Sequence, residues 1–313
     1  MKFYFAPLEG VAGYVYRNAH HMFFGGMDKY FSPFIHANLS DSFKTRDIRD
    51  ILPEHNRGLF IVPQLLTNKA DEFIHTAKRI RTLGYEEINL NLGCPSGTVV
   101  SKYRGAGFLA KKEELNRFLD EIYSKTDMKI SIKTRIGKDD PDEFYELIEI
   151  FNQYPVYELI IHPRTQKDFY NNKPNMKIFK DALAFSKNPV CYNGDLKSVN
   201  DFHKFFKDYP QVDTVMAGRG LLTNPGLVQE VKYGRKPDKK TLKDFHDKIL
   251  DDYRQVLSGD HNVLFKMKEL WSYMIHLFAD SEFYEKEIKK SKRLLAYVDI
   301  VDSLFQNLDL ITD

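Results

Sequence analysis

A chain of 313 residues exceeds one ordinary domain, yet it suits an eight-fold α/β barrel of roughly 250 residues carrying a small appendage. Two cysteines in a chain that is 42% hydrophobic and 29% charged exclude a disulfide-framed secreted scaffold and lead to the expectation of a reduced, cytoplasmic protein. The net charge of +2 does not announce a nucleic-acid binder, and no run reaches the roughly 18 apolar residues of a membrane span, so no membrane partner is expected.

In chain order, short apolar runs at residues 3–6, 59–62, 88–92, 130–132, 159–161, 189–192 and 214–217 read as buried parallel strands. A weaker candidate for a second strand lies at 28–31. Amphipathic segments at 70–83, 113–123 and 143–152 alternate with the strands, which predicts βαβ units. The fold class is therefore α/β. A closed (β/α)8 barrel leads over an open doubly wound sheet because eight strands can be counted and because polar residues follow nearly every apolar run. These are Pro7-Leu8-Glu9, Gln64, Asn91 to Cys94, Lys133, His162, Asn193-Gly194-Asp195 and Gly218-Arg219. In a barrel all of them converge on the C-terminal mouth, where active sites are built.

After a polar linker at 232–240 strand signals stop. Leu242, Phe245, Ile249, Tyr253 and Val256 fall at helical spacing, Ser258-Gly259 reads as a stop, and Val263 to Leu277 and Leu294 to Leu308 resume the pattern. The reading is a barrel domain at 1–235 and a small all-helical bundle at 240–313.

Cys94 lies between Gly93 and Pro95, a poor place to bury a hydrophobe. A thiol with a pKa of about 8.5 stays mostly protonated at neutral pH and can donate a proton. Cys191, inside an apolar run, reads as core. Gln64, Lys133, Asn193, Gly194, Gly218 and Arg219 form a cradle suited to a flavin, since a lysine at a strand end is costly unless it meets an anion. The ten histidines show no close pair at ligand spacing except His20-His21, whose adjacent side chains would not converge on a helix, so no metal is expected.

The ordered motifs Ala6 to Val11, Pro63-Gln64-Leu65, Asn91 to Ser96, Lys133-Thr134-Arg135, His162 to Thr165, Tyr192 to Asp195 and Met216 to Gly220 resemble those of the tRNA-dihydrouridine synthases. The chain departs from that pattern with Leu8 for Met, Ala12-Gly13 for Thr-Asp, and Pro163 for Gly. The resemblance implies an FMN enzyme, reduced by NADPH, that saturates a uracil ring in RNA. It makes Cys94 the proton donor to C5. It places Pro7, Leu8, Glu9, Gln64, Lys133, His162, Asn193, Gly194, Asp195, Gly218 and Arg219 at FMN, and Asn91 and Arg135 at the uracil. It further implies RNA binding by the helical tail. Lys102 and Arg104, in a loop able to close over a flipped base, are expected at the RNA, with Lys266, Lys268 and 289–293 as further candidates. The expected partner is tRNA, or ribosomal RNA as an alternative, not DNA, and the expected state is a monomer. A dihydroorotate dehydrogenase-like enzyme is the rival within flavin chemistry, and a non-catalytic RNA-binding protein on a retired barrel is the rival outside it.

Overall fold

The structure, a computed structural model, describes residues 1–311. Ten strands, all parallel, build one sheet: β1 (Lys2–Phe5), β2 (Lys29–Phe31), β3 (Ile35–His36), β4 (Ile61–Val62), β5 (Gln64–Leu66), β6 (Glu87–Leu92), β7 (Lys129–Gly137), β8 (Leu159–Thr165), β9 (Val190–Tyr192) and β10 (Thr214–Ala217). Their order is β3-β5-β6-β7-β8-β9-β10-β1-β2-β4. Only Pro63 separates β4, which pairs with β2, from β5, which pairs with β6. β4 and β5 are thus one interrupted strand that carries pairing from one end of the sheet to the other, and the ring closes on itself. Proline lacks the N–H that a ladder needs, so the interruption falls where the strand changes neighbours. With β3 continuing the path of β2, eight staves result and the open-sheet alternative is excluded. The closing pair joins distant parts of the chain, Lys2 opposite Thr214 and Phe5 opposite Ala217.

The weak strand at 28–31 is present as β2. The apolar runs at 130–132 and 159–161 undershoot β7 and β8, which continue through Gly137 and Thr165. The reason is periodicity: Lys133 and Arg135 stay in phase with Ser131, and His162 and Arg164 with Ile160, so polar residues replace apolar ones on the same inner face as the strands rise. The predicted helices form at Ala70–Thr82, Lys112–Lys125 and Glu143–Phe151. Tyr4, Ala6, Phe31, Val62, Ile160, Cys191 and Met216 make a continuous buried cluster, so Cys191 belongs to the core as expected.

The chain divides into two compact units. The first, Met1–Pro7, Asp28–Asp195 and Phe206–Ala217, holds every strand. The second comprises Leu8–Met27, Leu196–Phe205 and the chain from Gly218. Within it the helix Tyr14–Phe23 packs on the helix Lys239–Val256, where the Phe245 ring meets Phe24 at 5.2 Å, Tyr16 at 5.6 Å and Phe23 at 6.0 Å. Asp238 caps the latter helix by accepting from the Thr241 N–H, and Gly259 at φ +80° supplies the stop read from Ser258-Gly259. The helices Asp260–Met274, Glu282–Lys290 and Leu294–Asn307 follow. Trp271 Nε1–H donates to the Tyr297 hydroxyl at 2.7 Å, which leaves that hydroxyl to donate to His246 Nε2 at 2.6 Å, so His246 Nδ1–H points to Asp247 at 2.9 Å. No helix among the described residues is long and apolar enough to cross a membrane.

Candidate active site

Parallel register aligns the inner faces of three neighbouring strands: Gln64 beside Asn89, Asn89 beside Ser131, and Asn91 beside Lys133. Gln64, Asn89 and Ser131 are fully buried, which obliges their polar atoms to pair. Gln64 Nε2 donates to Asn89 Oδ1 at 2.7 Å, Asn89 Nδ2 donates to Ser131 Oγ at 3.0 Å, and Ser131 donates to Glu87 Oε1 at 3.1 Å. Glu87 Oε2 accepts from Lys29 Nζ at 2.7 Å. In the other direction Asn91 Nδ2 donates to Gln64 Oε1 at 2.7 Å, and Asn91 Oδ1 accepts the backbone N–H groups of Gly93 at 3.0 Å and Cys94 at 2.9 Å. The barrel interior is therefore polar along β5 to β7, and this hydrogen-bonded series ends at the Cys94 turn.

Cys94 is half-buried and unbridged. Its carbonyl accepts the Ala106 N–H at 3.1 Å, and Gly105, at φ +55°, approaches so closely that a Cβ there would stand 2.9 Å from the Cys94 carbonyl oxygen. Arg135 fixes the same turn from the next strand. It donates through Nε to the Gly93 carbonyl at 3.0 Å, and it reaches the Thr165 and Phe169 carbonyls at 2.6 and 2.8 Å. The loop after Cys94 is anchored at its far end: Gly105 to Leu109 are buried, and Arg104 turns to Asn68 and Glu72 at 3.4 Å while Lys102 and Tyr103 remain exposed.

Lys133 occupies the rung beside Asn91. Burial, reinforced by the Arg135 cation, lowers its ammonium from the ordinary 10.5 to about 8. Among the described residues no carboxylate pairs with it, a costly arrangement that fits a site for an anion. His162 Nε2 accepts from Arg164 at 3.0 Å, so the ring proton sits on Nδ1. Arg164 is itself clamped on both oxygens of Asp195, at 3.1 and 2.5 Å. Asn193 donates to the Met216 carbonyl at 2.8 Å. At Gly194 a Cβ would lie 1.9 Å from the Tyr192 hydroxyl, so no larger residue fits.

Gln64, Asn91, Cys94, Lys133, Arg135, His162, Asn193, Gly194 and Asp195 all lie in the strand-bearing unit, with Pro7 at the end of β1. Leu8, Glu9, Gly218 and Arg219 belong to the second unit. There Gly218 and Arg219 open a short helix, and a Cβ on the next residue, Gly220, would meet the Leu196 carbonyl at 2.4 Å. Lys266 and Lys268, expected to face RNA, are turned inward: Lys266 donates to the Gly10 carbonyl, and Lys268 donates to the Lys289 and Ser291 carbonyls that end the helix Glu282–Lys290. Lysine at a helix C-terminus satisfies orphan carbonyls, which is the competing use of these side chains. Lys289 and Lys290 pair with Glu285 and Glu287.

Sequence alone gives Asn89, Ser131, Glu87 and Lys29 no role at the site, and Arg164 only a place in the motif from His162 to Thr165. The alternation Asn-Leu-Asn-Leu at 89–92 was the available signal, because two amides on one face of a buried strand require partners.

A closed parallel barrel whose upper interior carries locked amides, a lysine without a counter-charge and a half-buried thiol defines an enzyme barrel with its chemistry at the C-terminal strand ends. The chain matches the dihydrouridine synthase (Dus) family over residues 4–307, and it belongs to that family. It is 26% identical over 230 residues to tRNA-dihydrouridine synthase B of Pasteurella multocida, covering 72% of this chain and 67% of that one. A probable tRNA-dihydrouridine synthase 2 of Bacillus subtilis is 26% identical over 264 residues, covering 80% and 78%. Against the tRNA-dihydrouridine(16) synthase of Aquipseudomonas alcaligenes the match spans 56% of either chain. Among solved structures, a 2-naphthoyl-CoA reductase aligns with a TM-score of 0.57 at 10% identity over 75% of this chain and 50% of its own. A morphinone reductase in complex with tetrahydroNAD aligns with a TM-score of 0.50 at 13% identity over 77% and 89%. Both support the barrel fold.

Proposed function

We propose that this protein reduces uridine to 5,6-dihydrouridine in tRNA, with FMN as cofactor and NADPH as reductant. The observation that carries the reading is Lys133, a cation that no carboxylate among the described residues pairs with, on the rung beside Asn91. The residues suit FMN: Lys133 answers the charge of a reduced isoalloxazine, and the Gln64 amide keeps one N–H beyond its bond to Asn89. Pro7, Leu8, Glu9, His162, Asn193, Asp195, Gly218 and Arg219 complete the proposed contacts. When bound, FMN would supply hydride to uracil C6.

The remaining steps belong to the protein. Cys94 hands its thiol proton to C5, so hydride and proton together saturate the ring. Asn91, with its oxygen held by two backbone N–H groups, offers its second N–H to a ring carbonyl. Arg135 holds the Gly93 carbonyl and keeps the thiol turn in place while a flipped base enters. Lys102, with Lys292 and Arg293, is the proposed phosphate contact, and residues 240–313 form the proposed RNA-binding bundle in a monomeric cytoplasmic enzyme. The family match and the tRNA-dihydrouridine synthase relatives favour tRNA over ribosomal RNA and over a free pyrimidine.

The test is an absorption spectrum of the purified protein, then anaerobic reduction and mixing with unmodified tRNA transcript. Wild type is expected to be yellow and to reoxidise with tRNA. Cys94→Ala is expected to keep the flavin and lose at least about a hundredfold in rate, the usual scale of a general acid. A protein that cannot take up flavin removes the reading, and reoxidation by free pyrimidines alone assigns a metabolic enzyme instead.

A further inference from the structure

The hydrogen bonds beneath Cys94 all run one way. Backbone N–H groups only donate, so the Asn91 atom facing Gly93 and Cys94 must be the oxygen, and its amino group then faces Gln64. Gln64 must present its oxygen to Asn91 and its amino group to Asn89. From the floor, Ser131 reaches only acceptors besides Asn89, namely Glu87 Oε1 at 3.1 Å and the Ile88 carbonyl at 3.3 Å, so its oxygen must accept from the Asn89 amino group. Each end separately dictates the same orientation for all three amides. Lys29 keeps Glu87 an acceptor by pairing with it at the base of the barrel.

Asn89 is the link where the two constraints meet. It is fully buried at the level of Ser131, one inner-face position below Asn91 and Lys133, and among the described residues its side chain hydrogen-bonds to the site only through Gln64. We infer that Asn89 is a positioning residue for the reaction proposed above: as a hydrogen-bond acceptor it fixes the Gln64 amide, which fixes Asn91, which holds the two N–H groups of the Cys94 turn. This rests on the proposed function for its catalytic meaning, but not for its geometry. The chemistry required at position 89 is an oxygen aimed at Gln64. An oxygen in place of the amino group would take the one Ser131 proton from Glu87 Oε1, leaving Glu87 to its pairing with Lys29.

The requirement separates positioning from packing. Asn89→Asp keeps the acceptor, whereas Asn89→Leu keeps the shape and removes it. A packing role would tolerate leucine and reject a buried carboxylate. Two readouts apply: the rate at which iodoacetamide alkylates Cys94 in the purified protein, with Cys94→Ala as the blank, and kcat against KM for tRNA. Asn89→Leu is expected to alkylate about fivefold faster as the turn loosens, and to lose about fivefold or more in kcat with KM little changed, the scale of one buried hydrogen bond. Asn89→Asp is expected to match the parent in both. The inference is overturned by a leucine variant that behaves as the parent, or by an aspartate variant that behaves as the leucine one. Should leucine prevent folding, Asn89→Ala takes its place, and the aspartate comparison decides alone if neither folds. Alkylation needs neither flavin nor RNA, so a parent that fails to reduce uridine would sink the proposed function while leaving this measurement intact.

Discussion

Lys133 shows how a single residue can state what a site is for. Its ammonium is lowered to about 8 by burial and by Arg135, and no carboxylate among the described residues offsets it. An anion bound there restores the charged form, so binding and protonation are linked. The sign follows directly. Below about pH 8 the lysine is charged, and the reduced flavin proposed for this site is expected to bind; as pH rises through that value the charge is lost and affinity is expected to fall. Anaerobic fluorescence titration should find reduced FMN binding weakening above that pH in the parent, and Lys133→Met binding about tenfold more weakly with a flat profile, since a hydrogen bond to a charged group is worth roughly 1.5–3 kcal/mol. An unchanged profile in the parent would remove Lys133 from the cofactor site. The presence of this lysine after an apolar run was legible in the sequence. What was not legible was the fate of Arg104, Lys266 and Lys268, because whether a cation meets solvent or a nearby carbonyl depends on which turn lies beside it, and sequence spacing does not encode that.

Elements were legible where one face is uniformly apolar and less so where the face changes character. The strand candidates at 88–92 and 214–217 match β6 and β10 closely because their inner and outer faces are both buried. β7 and β8 were underestimated because their upper halves are polar inside, which is the signature of the site itself. In the helical region the spacing of Leu242, Phe245, Ile249 and Tyr253 located the first helix, but it could not show that His246, one step off the stripe, is fully buried. Its place is set by the directional series from Trp271 through Tyr297 to His246 and Asp247, and burial keeps the imidazole below its ordinary range although Asp247 pulls it upward. Tyr297→Phe strands the Trp271 N–H and the His246 acceptor together, so it should destabilise these helices by about 1–3 kcal/mol. Trp271 is the single tryptophan, and its fluorescence during denaturant unfolding would report the shift; an unmoved midpoint would mean the series carries no stability.

For the whole molecule, the helices after residue 240 are not a detachable tail. The Phe245 ring meets Tyr16, Phe23 and Phe24, all from the segment between the first two strands. A chain ending at residue 238 would leave those aromatics bare. Such a truncation is expected to bind a hydrophobic dye and aggregate, as measured by fluorescence and light scattering, and a soluble product melting like the parent would contradict the packing argument. The barrel class was legible from the count and polarity of the runs, whereas the interleaving of chain segments was not, since contacts across long separations leave no local pattern.

The pairing of Lys2 with Thr214 also fixes when the protein can become itself. During synthesis the first strand emerges at once, but its partner follows only after the rest of the barrel has been made, on the order of ten seconds or more at usual rates of translation. Through that interval the N-terminal strand has one ladder side open and most of the ring is an unclosed sheet with live edges. A ribosome that stalls before residue 217 therefore releases a sticky intermediate, and one that passes it releases a ring with no edge at all.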